Sequence, residues 1–326
     1  MRMVLIYDSN NLRQSSESSQ VIQSFHQDVN QAITAALQAD GHEVLALEAD
    51  SQLEERLCEI QPDFVFNCSI KSRGDVNRSF APAVLRKLGI PFTGSRGSAC
   101  TNAYSKERTK HILMEAGIRT PFALVIRKPY GFRLPDAFSF PLFVKPVKGG
   151  CSFGISRQSL ITDQASLDKW LPQIYEQVKG PLILEEFLEG REFTAGVLGN
   201  LAAQVLPIME FKYPNGDEVH FRSYSLKMVR YEDEEIQCPA ELSSDKQAEI
   251  RKLVLQTFRA IGCRDYARVD VRMDRAGKPY VLEVNALPNL MPKTSSYAIM
   301  ALKTGLTFRE MIRSILRTAV ARYAGA

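Results

Sequence analysis

The sequence predicts an α/β protein of two or three domains, and three observations lead there. Strand-like and helix-like segments alternate from Met3 to Cys68, the pattern of a parallel sheet with helices on its faces. The stretch Ala267–Asn285 reads as two alternating strands around a turn. A chain of 326 residues, 45% of them apolar and 24% charged, is ordinary for a globular protein and too long for one small core.

The same counts exclude several classes. A net charge of +4 is mild and the basic residues are scattered, so no nucleic-acid partner is expected. No window is apolar for long enough to span a bilayer. Met1–Asp8 runs into a strand without the regions of a signal peptide, so a cytoplasmic location without membrane association is expected. The six cysteines are dispersed with no C-x-x-C pair, which argues for reduced thiols rather than disulfides or a zinc site. His26, His42, His111 and His220 form no ligand spacing.

In chain order, Met3–Tyr7 is a strand, Asp8–Ser19 a polar loop and Val21–Ala39 a helix stopped by Asp40-Gly41. Strands Glu43–Leu47 and Asp63–Cys68 flank the helical Gln52–Ile60. A nicotinamide site needs G-x-G-x-x-G after the first strand, and the turn there is Asp8-Ser9-Asn10-Asn11-Leu12, so that site is excluded. Phe80–Leu88 and Asn102–Glu115 are helices, and the first domain boundary falls near residues 95–120. The strand Pro141–Pro146 feeds Val147–Gly154, a loop with three glycines whose N–H groups could cradle phosphate, with Lys145 at the strand end; a plain turn explains such a loop equally well. Ser166–Val178 is a helix, and Leu182–Phe187 and Glu192–Leu198 are strands. Glu185 and Glu186 stand at the end of the first, a position suited to polar ligand atoms or to solvent. Ala203–Glu210 is a further strand. Lys212–Gln237 is polar, aromatic-rich and irregular, a length of connection that is usually functional or disordered. Ser244–Ile261 is an amphipathic helix, and Ser296–Thr304 and Thr307–Tyr323 close the chain as helices.

The hairpin carries the chemistry. Side chains alternate faces along a strand, so Arg268 shares a face with Asp270, and Glu283 with Asn285. Symmetric closure near residues 276 and 277 sets Asp270 opposite Glu283 and Arg268 opposite Asn285. Facing carboxylates repel by up to about 1 kcal/mol unless something positive lies between them. A divalent cation such as Mg²⁺ with oxygen ligands answers that need; so does a solvated face with Arg268 as the neutralising group.

Taken in order, G-I-P-F-T-G-S, S-K-E-R-T-K, F-V-K-P-V-K-G-G-C-S-F-G-I-S, L-I-L-E-E-F-L-E-G-R-E-F-T, C-P-A, A-R-V-D-V and V-L-E-V-N-A-L-P-N-L resemble the ATP-grasp carboxylate–amine ligases, in particular the D-alanine–D-alanine ligase branch. The resemblance runs from about residue 89 to the C-terminus; before that only the architecture is similar. It implies an ATP-grasp fold of three α/β domains, here 1–100, 101–184 and 185–326, with the nucleotide between the central and C-terminal ones. It implies ATP and two Mg²⁺ ions as cofactors, a small-molecule carboxylate and an amine as substrates, and a possible homodimer. By motif position, Lys106, Lys145 and Lys227 would reach the phosphates, and Gly149, Gly150 and Ser152 would belong to the phosphate loop. Glu185, Glu186 and Leu188 would meet the adenine and Glu192 the ribose. Asp270, Glu283 and Asn285 would ligate Mg²⁺, while Arg268 and a backbone N–H near Asn289 would stabilise charge at the acyl centre. No general base stands out.

The chain departs from that branch around the first substrate. The family's glycine-rich turn with a glutamate is Asp8–Arg13 here, with no glutamate before Glu17. Its H-G-x-x-G-E-D-G segment corresponds to Ser69–Ser79, which has no histidine, and a serine and an aromatic residue linked to that glutamate fall at Cys151 and Met228. A second-substrate serine falls near Thr294, beside Lys293. The expectation is an intact ATP half and a rebuilt amino-acid half, giving an amide or peptide other than D-alanyl-D-alanine. A nucleotide-binding protein without turnover and an acylphosphate-forming kinase are the competing readings.

Overall fold

The computed structural model describes residues 1–8, 17–69, 79–149, 154–213 and 235–325, the side chains of residues 17–27 excepted. Elements are numbered over those residues. The first sheet is parallel, order β2-β1-β3, from β1 (Arg2–Tyr7), β2 (Glu43–Glu48) and β3 (Phe64–Asn67). Helix α1 (Glu17–Ala39) covers one face of this sheet; α2 (Leu53–Ile60) and α3 (Phe80–Lys87) cover the other. The alternation of strand and helix thus folds as its pattern predicts.

The second sheet is antiparallel, order β4-β7-β5-β6, from β4 (Ala123–Ile126), β5 (Leu142–Pro146), β6 (Leu160–Ile161) and β7 (Leu182–Glu186). Helix α6 (Gln164–Val178) packs on it through Leu167, Leu171 and Ile174. The third sheet runs β11-β10-β8-β12-β13, with β9 (Gln204–Val205) also on β8 (Glu192–Leu198). Its other members are β10 (Met209–Lys212), β11 (Glu235–Gln237), β12 (Tyr266–Met273) and β13 (Pro279–Asn285). Helices α4 (Gly97–Tyr104), α5 (Lys106–Glu115) and α7 (Ser244–Ile261) bury one face. Tyr297 of α8 (Ser296–Leu302) joins a core shared with Met3, Leu5 and Phe66 of the first sheet and Ile315 of α9 (Phe308–Ala324), so these two units share apolar packing.

Several segments differ from their sequence expectation, among them the strand β4, which is not among the expected strands. Asn102–Glu115 is not one helix: Ser105 turns extended (φ −97°, ψ 109°), its Oγ accepts from the Arg108 N–H at the start of α5, and it bridges to Lys148. Serine competes for backbone groups at a helix start, and the break sets Lys106 at the first position of α5, where its N–H donates to Val147 O (2.9 Å). Ala203–Glu210 is two short strands around Pro207, which has no N–H to give a ladder. The strand β11 lies at the end of the connection read as irregular.

Candidate active site

The β12–β13 hairpin sets the centre of the site. Its turn closes about Ala276: Gly277 N–H donates to Asp274 O and Asp274 N–H to Lys278 O, each at 3.0 Å, with Gly277 at φ +75°. Near the tip, Met273 faces Pro279 and Val271 faces Val281; then a register shift between Asp270 and Val271 brings Asp270 opposite Glu283 and Arg268 opposite Asn285. The expected pairing is therefore present. It is reached through a bulge at Leu282 rather than through symmetric closure, because one extra residue on β13 restores the alignment that the tighter turn displaces.

On that face Arg268 grips Asp270 with both arms, Nε to Oδ1 and Nη2 to Oδ2 at 2.9 Å each. Thr194 of β8, directly across from Asp270, donates its hydroxyl to Oδ1 at 2.5 Å. The Asn285 amide donates from one nitrogen to Asp270 Oδ2 (3.3 Å) and to Glu283 Oε1 (3.4 Å). Two carboxylates converge on a single partly positive group. A half-turn of the amide exchanges its nitrogen for its oxygen, which makes three hard oxygen donors about one point. The donor set fits Mg²⁺.

Lys106, Gly149, Glu283 and Asn285 line one small cleft together with Tyr104 and Leu287. The Lys106 ammonium donates to Gly149 O at 3.1 Å, and Gly149 has the positive φ (+126°) that glycine tolerates best. Gly150, Ser152 and Lys227 lie outside the described residues, as do Cys151 and Met228.

A buried ion set links β7, β5 and α5. The Glu185 carboxylate pairs with Lys145 and with Lys110 (2.9 Å to Oε2), all three side chains being almost wholly enclosed. Lys110 also donates to Thr120 Oγ1 (3.0 Å) and Pro121 O (2.9 Å), and Thr120 donates onward to Val281 O of β13. Burial pushes the Lys110 ammonium down to about 8 although Glu185 pulls it up. Burial raises the Glu185 carboxyl, and the two lysines outweigh it, holding it below its ordinary value. Burying ions costs several kcal/mol each before pairing, so two cations on one carboxylate store positive charge at a cost that a polyphosphate would offset.

The Glu185 carboxylate is engaged by these lysines, and its backbone lies inside the ladder between β4 and β5. Glu186 is half-buried and accepts from Phe122 N–H (3.3 Å); Leu188, buried, is the second residue past the strand. Glu192 opens β8, where its Oε2 accepts from Arg272 Nη1 (2.9 Å) and from the Tyr213 hydroxyl (2.7 Å). Its approach is fixed by Gly190: a Cβ there would lie 2.6 Å from the carbonyl oxygens of Met273 and Asp274. Asn289 turns its Oδ1 onto the Met291 N–H (2.6 Å). Asp8 and Ser69 meet at the carboxyl ends of β1 and β3, Ser69 Oγ donating to Asp8 Oδ1 at 2.6 Å.

Sequence reasoning missed Lys110, Arg272, Thr194 and Tyr213. Two of these carried a signal: Lys110 is four residues past Lys106 on one helix face, and Arg272 two past Asp270 on one strand face. Thr194 and Tyr213 carried none, since only sheet pairing brings them in.

Comparison with known proteins decides the lineage. The family described as D-ala D-ala ligase C-terminus matches residues 126–317. The chain belongs to this family. It is 31% identical over 273 residues to the D-alanine–D-alanine ligase of Polaromonas sp. strain JS666, covering 81% of this chain and 78% of that one. It is 33% identical over 302 residues to an uncharacterized protein of Sinorhizobium fredii strain NGR234, covering 90% and 88%. The fold matches the D-alanine–D-alanine ligase of Bacillus anthracis complexed with ATP (TM-score 0.78, 21% identity, all of both chains). It also matches the VanG D-Ala:D-Ser ligase of Enterococcus faecalis (TM-score 0.76, 19% identity, 98% of this chain and 99% of that one). As a D-alanine–D-alanine ligase-like ATP-grasp protein, it is an ATP-dependent carboxylate–amine ligase acting on small molecules. Among the described residues no helix is long and apolar enough to cross a membrane.

Proposed function

We propose that the enzyme joins an amino-acid-like carboxylate to an amine through an acylphosphate, releasing ADP and phosphate, and that its product is not D-alanyl-D-alanine. A carboxylate is a poor electrophile. Its oxygen attacks the γ-phosphorus of ATP, the bond to the β–γ bridging oxygen breaks, and ADP leaves. Lys106 and Lys145, with Lys227, neutralise the phosphoryl oxygens in that step. Magnesium held by Asp270, Glu283 and Asn285 would supply Lewis-acid charge at the β- and γ-phosphates. The amine then attacks the acyl carbon. Arg268, fixed by its two bonds to Asp270, and a backbone N–H near Asn289 meet the oxyanion, the C–O bond to phosphate breaks, and the departing phosphate carries off the amine's proton. Gly149, Gly150 and Ser152 belong by motif position to the phosphate loop, Leu188 and Glu186 meet the adenine together with Glu185, and Glu192 takes the ribose hydroxyls. Units 1–100, 101–184 and 185–326, two Mg²⁺ ions, a cytoplasmic location and a homodimer belong to the same proposal.

The observation that carries the product reading is the Asp8–Ser69 pair. Open α/β sheets take ligands at the carboxyl ends of their strands, and at the ends of β1 and β3 a carboxylate and a serine hydroxyl bond each other. No glutamate–histidine pair stands at the corresponding sequence positions. The test is ADP release over pairs of amino acids with mass detection of the product. Efficient formation of D-alanyl-D-alanine would overturn the product reading. ADP release without any amine would indicate a kinase, and no release with any pair a binding protein.

A further inference from the structure

One face of β12 presents Arg268, Asp270 and Arg272 in alternation, and β8 opposes them with Gly196, Thr194 and Glu192. Each acid of this ridge is held by an arginine of β12, but differently. Arg268 occupies both oxygens of Asp270. Arg272 holds only Oε2 of Glu192, and the second bond to that same oxygen comes from Tyr213. Among the described residues Glu192 Oε1 takes no hydrogen bond.

Arg272 is itself clamped. It is 3% exposed, and its guanidinium carbon lies 4.8 Å from the centre of the Phe187 ring, which stacks on Phe143 at 5.9 Å and 27°. A guanidinium fixed on an aromatic face with a carboxylate at its edge is a rigid support, whereas a free glutamate samples several rotamers. Tyr213, the residue after β10, adds its hydroxyl to the same oxygen, so two groups hold Oε2.

We propose that Arg272 and Tyr213 are positioning residues for the nucleotide ribose: they anchor Glu192 by Oε2 and present Oε1 to the vicinal hydroxyls. This rests on the reading that Glu192 meets the ribose. A carboxylate held this way accepts a charge-assisted bond without paying to become ordered, so the site tells a ribonucleotide from its deoxy analogues. Without Arg272 the buried carboxylate loses this ion pair, and its geometry relaxes.

Binding of ATP, 2′-deoxy-ATP and 3′-deoxy-ATP to the full chain in magnesium chloride, by calorimetry, tests this. The unaltered protein prefers ATP to the weaker deoxy analogue by at least about tenfold, the value of one charge-assisted hydrogen bond. Arg272→Met reduces that preference to about twofold or less by weakening ATP alone. Arg272→Lys recovers part of it, and Tyr213→Phe, which removes a single hydroxyl and spares the core, lowers it in the same direction. A general structural defect weakens all three nucleotides alike and leaves the ratio intact. If Glu192→Gln abolishes the preference while Arg272→Met and Tyr213→Phe retain it, the positioning role is wrong and the ribose reading stands. If Glu192→Gln retains the preference, the ribose reading fails and this inference with it.

Discussion

Asp270 and Glu283 face each other across the β12–β13 ladder, and both carboxylates reach the single amide nitrogen of Asn285. Like charges in that register oppose folding, and the sheet tolerates them because Arg268 and Thr194 hold Asp270 in place. The arrangement sacrifices a little stability to hold two carboxylates and an amide about one point.

Glu283→Gln therefore separates stability from function. Without divalent cation, removing one of two facing charges stabilises the fold by up to about 1 kcal/mol. With magnesium present, ATP affinity falls by more than about 100-fold, beyond the loss typical of residues that only support a ligand. Thermal melts in chelator and calorimetry in magnesium read the two effects; a melt shifted downward in chelator would contradict the first.

Arg268→Lys removes the two-armed grip on Asp270 while keeping the charge, and a lysine cannot reproduce the fork. Turnover drops about 100- to 1,000-fold, the scale of losing one oxyanion donor, with little change in nucleotide affinity. Product formation falls while single-turnover ADP release and ATP binding persist, and loss of all three would mark a folding defect instead.

Lys110 leaves a signature in the pH dependence of stability. Burial drives its ammonium down to about 8 from the ordinary 10.5, so the folded chain releases this proton before the unfolded chain does. The cost of keeping it charged is fully present below pH 8 and is relieved as pH climbs from 8 to 10.5. Relative to Lys110→Met, the unaltered protein gains up to about 3 kcal/mol across that window. Denaturant midpoints at pH 7.5 and pH 10 measure the difference, and parallel profiles would exclude it.

Asp265 is wholly buried at φ +61°. It accepts from Gly94 N–H (2.8 Å), Asn200 Nδ2 (2.9 Å), and Arg322 Nε (3.0 Å) and Nη2 (2.8 Å). It ties the start of β12 to the loop after the first sheet and to α9. Asp265→Ala strands the Arg322 cation and costs about 3–5 kcal/mol by urea unfolding, whereas exposed charges elsewhere cost under about 1 kcal/mol.

Residue order alone specifies the α/β class, the strand–helix alternation of the first sheet and the shared faces of Arg268 with Asp270 and Glu283 with Asn285. These follow from local periodicity, and a period of two needs no knowledge of the rest of the chain. Tertiary structure decided what those side chains touch. The bulge at Leu282 aligns the carboxylates after a turn one position tighter than symmetry suggests. The break at Ser105 delivers Lys106 to the cleft, and Glu185 is claimed by two lysines from separate elements. Thr194 and Tyr213 enter only because β8 and β10 lie beside β12 in the sheet. Pairings between residues 21 to 80 positions apart depend on which strands close on which, and that choice belongs to the packing of the whole core.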